Sequence, residues 1–441
     1  MKPFTTNMSS FDEQRELEGR FGTLLSISDQ SLVTLASSVR RRLSGGGLTN
    51  GQVISRLNGS YNLVHIVEFD DGVRYVVRVP ATGWGSRFTE IAKRSLVSQA
   101  LTLRWIRKET AVPVPDVYAF DISNTNEIGA PYILMSFING HTVSSKWFDR
   151  TGPTALEERR LRTLDTLAQA ISLLQKFQFD KIGSLEFDNG TVGNSIRIGP
   201  CYRWDEGIFG DEDYGKDLRV EEFGPFESSK SYLRHCVSHY WDPRKRSPLA
   251  LGSRMILDMM ISCLPLSTKD VSTNQESFVL SLPDFDSQNI MIDERGNITG
   301  IIDWDNVHAV PRFLGYFSFP GWITRDWDPI VYNYPVNKER EDSPEELKRY
   351  RRRYNSKMQE ILHGNGDSRF VSKSHIFEAV AIAATDDVRR LEIVRKIVGR
   401  VFQAEDDDAL ELIRDAGSGR LKLKDRIKVR TGLQALLSVS S

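Results

Sequence analysis

One stretch constrains the fold of this chain more than any other: Leu280 to Asp305, LSLPDFDSQNIMIDERGNITGIIDWD. Ile290, Met291 and Ile292 make a short apolar strand. Glu294, Arg295, Gly296 and Asn297 follow as a polar, Gly-containing turn suited to a hairpin. Ile298, Gly300, Ile301 and Ile302 return as a second strand that ends at Asp303. Such a hairpin is expected to bring Asn289 and Asp303 near each other, with Asp284 in the loop just before. Two carboxylates and an amide oxygen are hard oxygen ligands. They suit Mg²⁺ that keeps waters and holds phosphates, with one carboxylate left as a base. Each residue alone is also compatible with a solvated surface hairpin. The specific signal is the order: Asp284, Asn289, hairpin, Asp303-Trp304.

The bulk of the chain narrows the classes. Its 441 residues exceed one average domain, so two lobes with a large core are expected. Apolar content of 40% and charged content of 27% are those of an ordinary globular protein. A net charge of −1 provides no global field for nucleic acid or acidic lipid, so neither is an expected partner. Three cysteines, Cys201, Cys236 and Cys263, are odd in number and widely spaced, which argues for a reducing compartment. The first residues, MKPFTTNMSS, lack the apolar core of a signal peptide, and no run is apolar enough to span a bilayer. The expected location is cytoplasmic. His235 and His239 share a helix face, but no second ligand pair accompanies them, so a zinc site is set aside.

Residues 1 to about 27 are weakly patterned and read as a loose arm with one short helix. Leu32, Leu35, Val39 and Leu43 fall on one side of a helix over 28–43, capped by Ser28 or Asp29. Arg40, Arg41 and Arg42 suit its C-terminus better than a nuclear signal. Residues 51 to about 139 are sheet-rich, with a hairpin turn at Asp70-Asp71-Gly72. Strands flank Asn58-Gly59-Ser60-Tyr61, a turn whose N–H groups can lie over phosphates or simply close a hairpin. Ala111-Val-Pro-Val-Pro115 is extended, and Tyr132–Ile138 is an apolar strand. Beyond it the chain turns helical, with Leu161, Leu164, Leu167, Ala168, Ile171 and Leu174 in a core stripe. Residues 186 to about 228 read as an irregular insertion carrying Glu206, Asp211, Glu212, Asp213, Asp217, Glu221 and Glu222. These acids are either solvated or positioned to draw in a cationic substrate, on which Tyr202 and Trp204 would stack. Helices are expected over 229–266 and from Ile376 to Phe402, with 337–353 charged and exposed. From Arg420 to Arg430 basic and apolar residues alternate, a strand-like pattern.

The segment PDFDSQNIMIDERGNITGIIDWD resembles the catalytic and metal-binding segment of the aminoglycoside phosphotransferase family, the kinase-like small-molecule kinases. It is most similar to the family's fungal branch. Val310–Gly315, Trp322–Asp328, Phe179–Leu185, Gly199–Glu206 and the Val-Pro-Val-Pro element resemble that family as well. The resemblance implies an α+β, bilobal protein-kinase-like fold: a small sheet-rich N-lobe and a large, mainly helical C-lobe. Residues 1–50 would be an N-terminal arm and helix. Residues 51–139 would bind nucleotide and end in the hinge, and 140–441 would carry the catalytic hairpin and C-terminal helices.

By the same resemblance Asp284 is the catalytic base, and Asn289 and Asp303 hold Mg²⁺. Gly59, Ser60 and Arg78 attend the phosphates of ATP, and the hinge residues Met135 and Phe137 attend the adenine. The family's usual Lys is Arg78 here, and the two cations are not interchangeable. The Glu that usually anchors it is replaced by Gln99, with Glu90 as the alternative partner. The usual His before the base is Leu282. The implied activity is ATP- and Mg²⁺-dependent phosphoryl transfer to a hydroxyl of a small molecule. The alternative is a degenerate kinase-like protein that binds nucleotide or a partner without turnover. A metal-dependent hydrolase ranks third, for want of a His-rich ligand set. Neither the acceptor nor the choice of ATP over GTP follows from fold.

Overall fold

A computed structural model describes residues 10–44, 50–188, 192–193, 195–205, 218–268, 275–363, 366–403 and 405–439. They fall into two compact units. The first comprises Met1–Asn139, Ser184–Phe223 and Thr299–Val307; the second comprises Gly140–Gly183, Gly224–Ile298 and His308–Ser441.

The first unit is built on a five-stranded antiparallel sheet. Its strands are β1 (Gly51–Asn58), β2 (Asn62–Phe69), β3 (Arg74–Pro80), β4 (Val117–Asp121) and β5 (Tyr132–Ser136), in the order β1-β2-β3-β5-β4. Period-two patterning sets the faces. Leu63, Val67 and Phe69 of β2 and Tyr75, Val77 and Val79 of β3 are buried together. Helices α1 (Ser10–Phe21) and α2 (Asp29–Ser44) cover that face. Leu32, Leu35, Ala36 and Val39 are buried there, whereas Leu43 lies exposed past the packed turns. Ser28 Oγ accepts from the Ser31 N–H at 3.1 Å, the expected cap. Arg40 is ion-paired with Asp71 in the β2–β3 turn.

The expectation of a loose arm fails over 10–27. Phe21, Leu24 and Ile27 enter the same core, because their spacing places them on one side of α1 and the 3₁₀ turn Gly22–Ser26. On the other side of the sheet is α3 (Glu90–Glu109), capped by Thr89, which accepts from the Ala92 N–H. The described part of the 186–228 insertion is not an irregular loop. Leu185–Phe187 pairs with Ile196–Ile198, and Cys201–Asp205 pairs with Arg219–Phe223. Ser98 Oγ of α3 donates to the Leu185 carbonyl at 2.7 Å, which ties this insertion to the helix. Glu206, Asp211, Glu212, Asp213 and Asp217 lie outside the described residues.

The second unit is mainly helical. Helix Leu156–Ser172 buries Leu164, Leu167, Ala168 and Ile171 as its stripe requires. Helices Ser229–His239 and Pro248–Cys263 fall within 229–266. Helices Ser374–Thr385 and Asp387–Phe402 span the region from Ile376 to Phe402 where helices are expected. The break is at Asp386, whose carboxylate accepts from the Val388 and Arg389 N–H groups at 2.9 Å. Val388, just past this break, is exposed. The charged run 337–353 is not wholly exposed. It enters helix Pro344–Leu362, opened by a Ser343–Glu346 capping box, and buries Leu347, Tyr350, Arg351 and Tyr354. The tail is a helix, Leu423–Leu437, and not a strand. Val429, Leu433 and Leu437 recur at a spacing of four and are buried, which outweighs the local alternation. Among the described residues no helix is long and apolar enough to cross a membrane, and no three His, Cys, Asp or Glu side chains cluster as metal ligands.

Candidate active site

In the sheet unit, β3 presents Arg78 on the side opposite Val77 and Val79. Its guanidinium is 2.6 Å from Asp303 and 2.7 Å from Asp305. The acids arrive on the segment after Ile298–Ile301. The Ile301 N–H donates to the Pro113 carbonyl at 2.8 Å, so the extended Val-Pro-Val-Pro element sets that strand's position. Trp304, 1% exposed, donates Nε1–H to the Ile301 carbonyl at 2.9 Å, which pins the start of the segment. Asp303 has φ +60°, a left-handed backbone that Asp tolerates better than most residues.

Gln99 of α3 does not form an ion pair with Arg78; it donates to Asp305. Asn62 Nδ2 donates to the same carboxylate at 2.7 Å. Glu90 is not Arg78's partner, since it pairs with Lys93 at 2.5 Å. Burial raises the Asp305 carboxyl to about 6, and Asp303 adds to this while Arg78 opposes it. The Arg78 guanidinium is held above its usual value, because the two carboxylates outweigh the cost of its burial. Neither Asp305 nor Asn62 is among the site residues the sequence points to. Asp305 was detectable as a second acid two positions after Asp303, whereas nothing local marks Asn62.

The remaining residues expected around the nucleotide are also in this unit. The Gly59 N–H donates to Asn62 O at 2.9 Å, and Ser60 O accepts from Arg20 at 2.6 Å, so α1 braces the turn. The Gly59 N–H is therefore occupied within the hairpin. Met135 is 6% exposed in β5 between Val76 and Val117. The Phe137 N–H donates to Arg74 O at 3.3 Å, and the Arg74 guanidinium lies 5.3 Å from the Phe137 ring. Trp204 stacks on Tyr61 with centroids 5.0 Å apart and planes within 2°, and Tyr202 is buried. Both rings thus serve packing in this unit. A cavity of about 20 Å³ adjoins them, walled by Arg78, Gln99, Asn62 and Trp204. Glu221 pairs with Arg203 and Arg219, and Glu222 with Arg94.

In the helical unit, Asp284 lies exposed on the loop after Phe278–Leu280. Asn289 Nδ2 donates to the Asp284 backbone oxygen at 2.9 Å and to its Oδ2 at 3.0 Å. Gln288 Nε2 donates to the same Oδ2 at 2.9 Å. Asn289 is 6% exposed and immediately precedes strand Ile290–Ile292, which pairs with His141–Thr142. Asp293 fixes the turn, accepting from the Arg295 and Asn297 N–H groups at 2.9 and 2.8 Å. The loop's other acid, Asp286, pairs with Arg325 at 2.6 Å. Leu282 is 8% exposed and contributes an apolar side chain where the resemblance places His. His235 and His239 stack on each other without further metal donors among the described residues.

Asn289 commits its amide nitrogen to Asp284, so its amide oxygen is the donor it has left, a hard oxygen of the kind Mg²⁺ takes. In the sheet unit, the Asp303 carboxylate beside Arg78 is a hard oxygen donor of the same kind.

Residues 53–314 match the model of the phosphotransferase enzyme family. A subtelomeric hrmA-associated cluster protein of Aspergillus fumigatus is 24% identical over 307 residues, 59% of each chain. Clavilactone A biosynthesis cluster protein Y of Ampulloclitocybe clavipes is 22% identical over 278 residues, 60% of this chain and 62% of that one. Altered inheritance of mitochondria protein 9 of Yarrowia lipolytica is 23% identical over 302 residues, 60% of this chain and 50% of that one. The matches thus span less than two thirds of the length of each of these relatives. Among solved structures, aminoglycoside phosphotransferase APH(4)-Ia, in complex with AMP-PNP and hygromycin B, is 13% identical. That match covers 88% of this chain and 98% of that one at a TM-score of 0.41. Amicoumacin kinase hAmiN is 12% identical over 83% of this chain and 88% of that one, with a TM-score of 0.40. The α+β class expected from the sequence is the one found, and with its model matching more than half of these 441 residues, the chain belongs to the phosphotransferase enzyme family.

Proposed function

We propose that this protein transfers the γ-phosphoryl group of ATP to a hydroxyl of a small molecule, with Mg²⁺. The observation that carries this reading is Asn289. Its amide nitrogen holds Asp284 in place, so one side chain orients the base and offers the metal an oxygen. Asp284 accepts or orients the acceptor's hydroxyl proton, and Asn289 and Asp303 hold the metal. When bound, Mg²⁺ neutralises charge across the phosphates. Arg78 and the Gly59-Ser60 turn steady the phosphate tail, and Met135 and Phe137 border the adenine. Catalysis is positioning and electrostatics, without a covalent intermediate.

Asp305 supplies the anchoring carboxylate that Gln99 lacks. Arg78 can then leave Asp303 for phosphate without losing its orientation, because Asp305, braced by Asn62 and Gln99, still holds it. Cytoplasmic residence suits three cysteines that are odd in number and widely spaced, and recovery of the chain in a cytosolic cell fraction checks it.

A second reading, nucleotide binding without turnover, is favoured by Leu282 and by the hold of both carboxylates on Arg78. One experiment separates the two. Thermal unfolding and ATP consumption are followed with Mg-ATP and Mg-GTP against a panel of hydroxylated metabolites. A nucleotide at a hundred times its dissociation constant stabilises by about 2.7 kcal/mol. Asp284→Ala should keep that stabilisation and lose transfer by about 10²–10⁴-fold. Stabilisation without consumption on any acceptor would favour the second reading, and no stabilisation would overturn both.

A further inference from the structure

The helical unit contains a cleft of about 330 Å³ that the proposed chemistry does not use. Its size is at the lower end of small-molecule sites. One wall is helix Pro344–Leu362; the others are the 3₁₀ turn Arg325–Trp327, helix Ser374–Thr385 and helix Asp387–Phe402.

The cations of that first helix fall into two groups. Lys348, Arg349, Arg351, Arg352 and Arg353 lie within six consecutive residues. Arg349 pairs with Glu157 at 3.0 Å, Arg351 with Asp326 at 2.5 Å, and Arg353 with Asp165. Lys348 and Arg352 have no ion pair among the described residues, and both line the cleft. They are one turn apart, where like charges repel. Arg400 enters from another helix, also without an ion pair among the described residues, with its guanidinium 4.5 Å from the Trp327 ring. Against Lys348, Arg351, Arg352 and Arg400, the lining holds only Asp326, already paired, and Glu345. The cleft is therefore positive.

Three residues of its lining carry buried polar atoms without hydrogen-bond partners. Trp327 is 3% exposed, and its Nε1–H has no acceptor. The Asn355 amide oxygen and His375 Nδ1 are enclosed and likewise unpaired. An unmet buried N–H donor is costly, and unmet groups of this kind mark sites for a ligand or an ordered water. Burial, with Arg351, Arg400 and Lys396 nearby, lowers the His375 imidazole well below its usual range and keeps it neutral. That is the response expected of a histidine in a positive field.

We propose that this cleft binds a phosphate monoester of a small hydroxylated molecule, with Lys348, Arg352 and Arg400 around the phosphate. The indole N–H of Trp327 donates to a phosphate oxygen, and Asn355 and His375 meet the hydroxyls. A dianion relieves the Lys348–Arg352 repulsion and satisfies the buried donor, which neither water nor chloride does as fully.

The test uses the full chain in EDTA without nucleotide. Glucose 6-phosphate, inorganic phosphate and glucose are titrated by calorimetry and by thermal unfolding, at constant ionic strength. Wild type should bind the sugar phosphate, inorganic phosphate more weakly, and glucose not at all. The triple variant Lys348→Gln, Arg352→Gln, Arg400→Gln should bind the sugar phosphate about a hundredfold more weakly. Its own unfolding temperature should stay close to that of wild type, because all three side chains are exposed and the removal of like charges offsets the lost Arg400–Trp327 contact. Asp303→Asn should bind as wild type does, which separates this cleft from the nucleotide residues. Equal affinity for phosphate and sugar phosphate would assign the cleft to free phosphate. Undiminished binding by the triple variant, or no binding by wild type at millimolar ligand, would overturn the proposal.

Discussion

Glu378 carries the clearest pH signature at the scale of single residues. Burial pushes its carboxyl from 4.5 up to about 8, with Asp286 adding to the shift and Arg325 opposing it. A carboxyl raised in the native state contributes stability that is fully present below its unfolded value and is lost as pH rises through the native one. The urea midpoint of wild type minus that of Glu378→Gln should therefore fall between about pH 4.5 and 8 and level off above. A difference that stays flat across this range would place Glu378 in a solvated setting. Asp305 has the same sign over a narrower window, from the usual carboxylate range to about 6, and Asp305→Asn isolates it in the same way. Asp303 raises a different question. At φ +60° Asn is tolerated where Ala is strained, so Asp303→Ala should lose about 1 kcal/mol more stability than Asp303→Asn in chemical denaturation. Asn is accordingly the substitution to use in binding experiments.

Two glycines decide how a pair of helices packs. Gly252 lies in helix Pro248–Cys263, and a Cβ there would stand 1.8 Å from the Ile413 carbonyl oxygen of helix Asp406–Gly417. A Cβ on Gly417 would stand 1.9 Å from the Pro248 carbonyl oxygen. The obstacle in both cases is backbone, which cannot move aside as a side chain does. Ala ordinarily favours a helix over Gly by about 1 kcal/mol, but the clash outweighs that gain. Gly252→Ala should destabilise by about 2–4 kcal/mol in urea unfolding, whereas Gly85→Ala, in open space, should lose only the strain of its positive φ. The break between helices Ser374–Thr385 and Asp387–Phe402 depends on Asp386, and Asp386→Ala should lose about 1 kcal/mol as an N-cap.

At the scale of the whole molecule, the proposed nucleotide binding is linked to unfolding. Mg-ATP should raise the thermal midpoint of wild type, and Asp303→Asn should lose the Mg²⁺-dependent part of that rise. A variant that retains the full rise would remove Asp303 from metal binding. The sequence by itself determined the sheet-rich stretch 51–139, most helices and the family. Alternation in β2 and β3, the stripe Leu164–Ile171 and the ordered Asp284, Asn289 and Asp303 are short-range patterns, set by backbone period and residue chemistry. Only the tertiary structure decided which groups satisfy Arg78. Asp305, Asn62 and Gln99 come from three distant points of the chain, and no local rule links them. The same holds for the tail, where alternating basic residues masked a helix whose buried positions are chosen by what packs against it. It holds too for the cations of helix Pro344–Leu362. Equivalent in sequence, they became paired or unpaired according to the acids the fold placed opposite them, because an ion pair depends on distance in space and not along the chain.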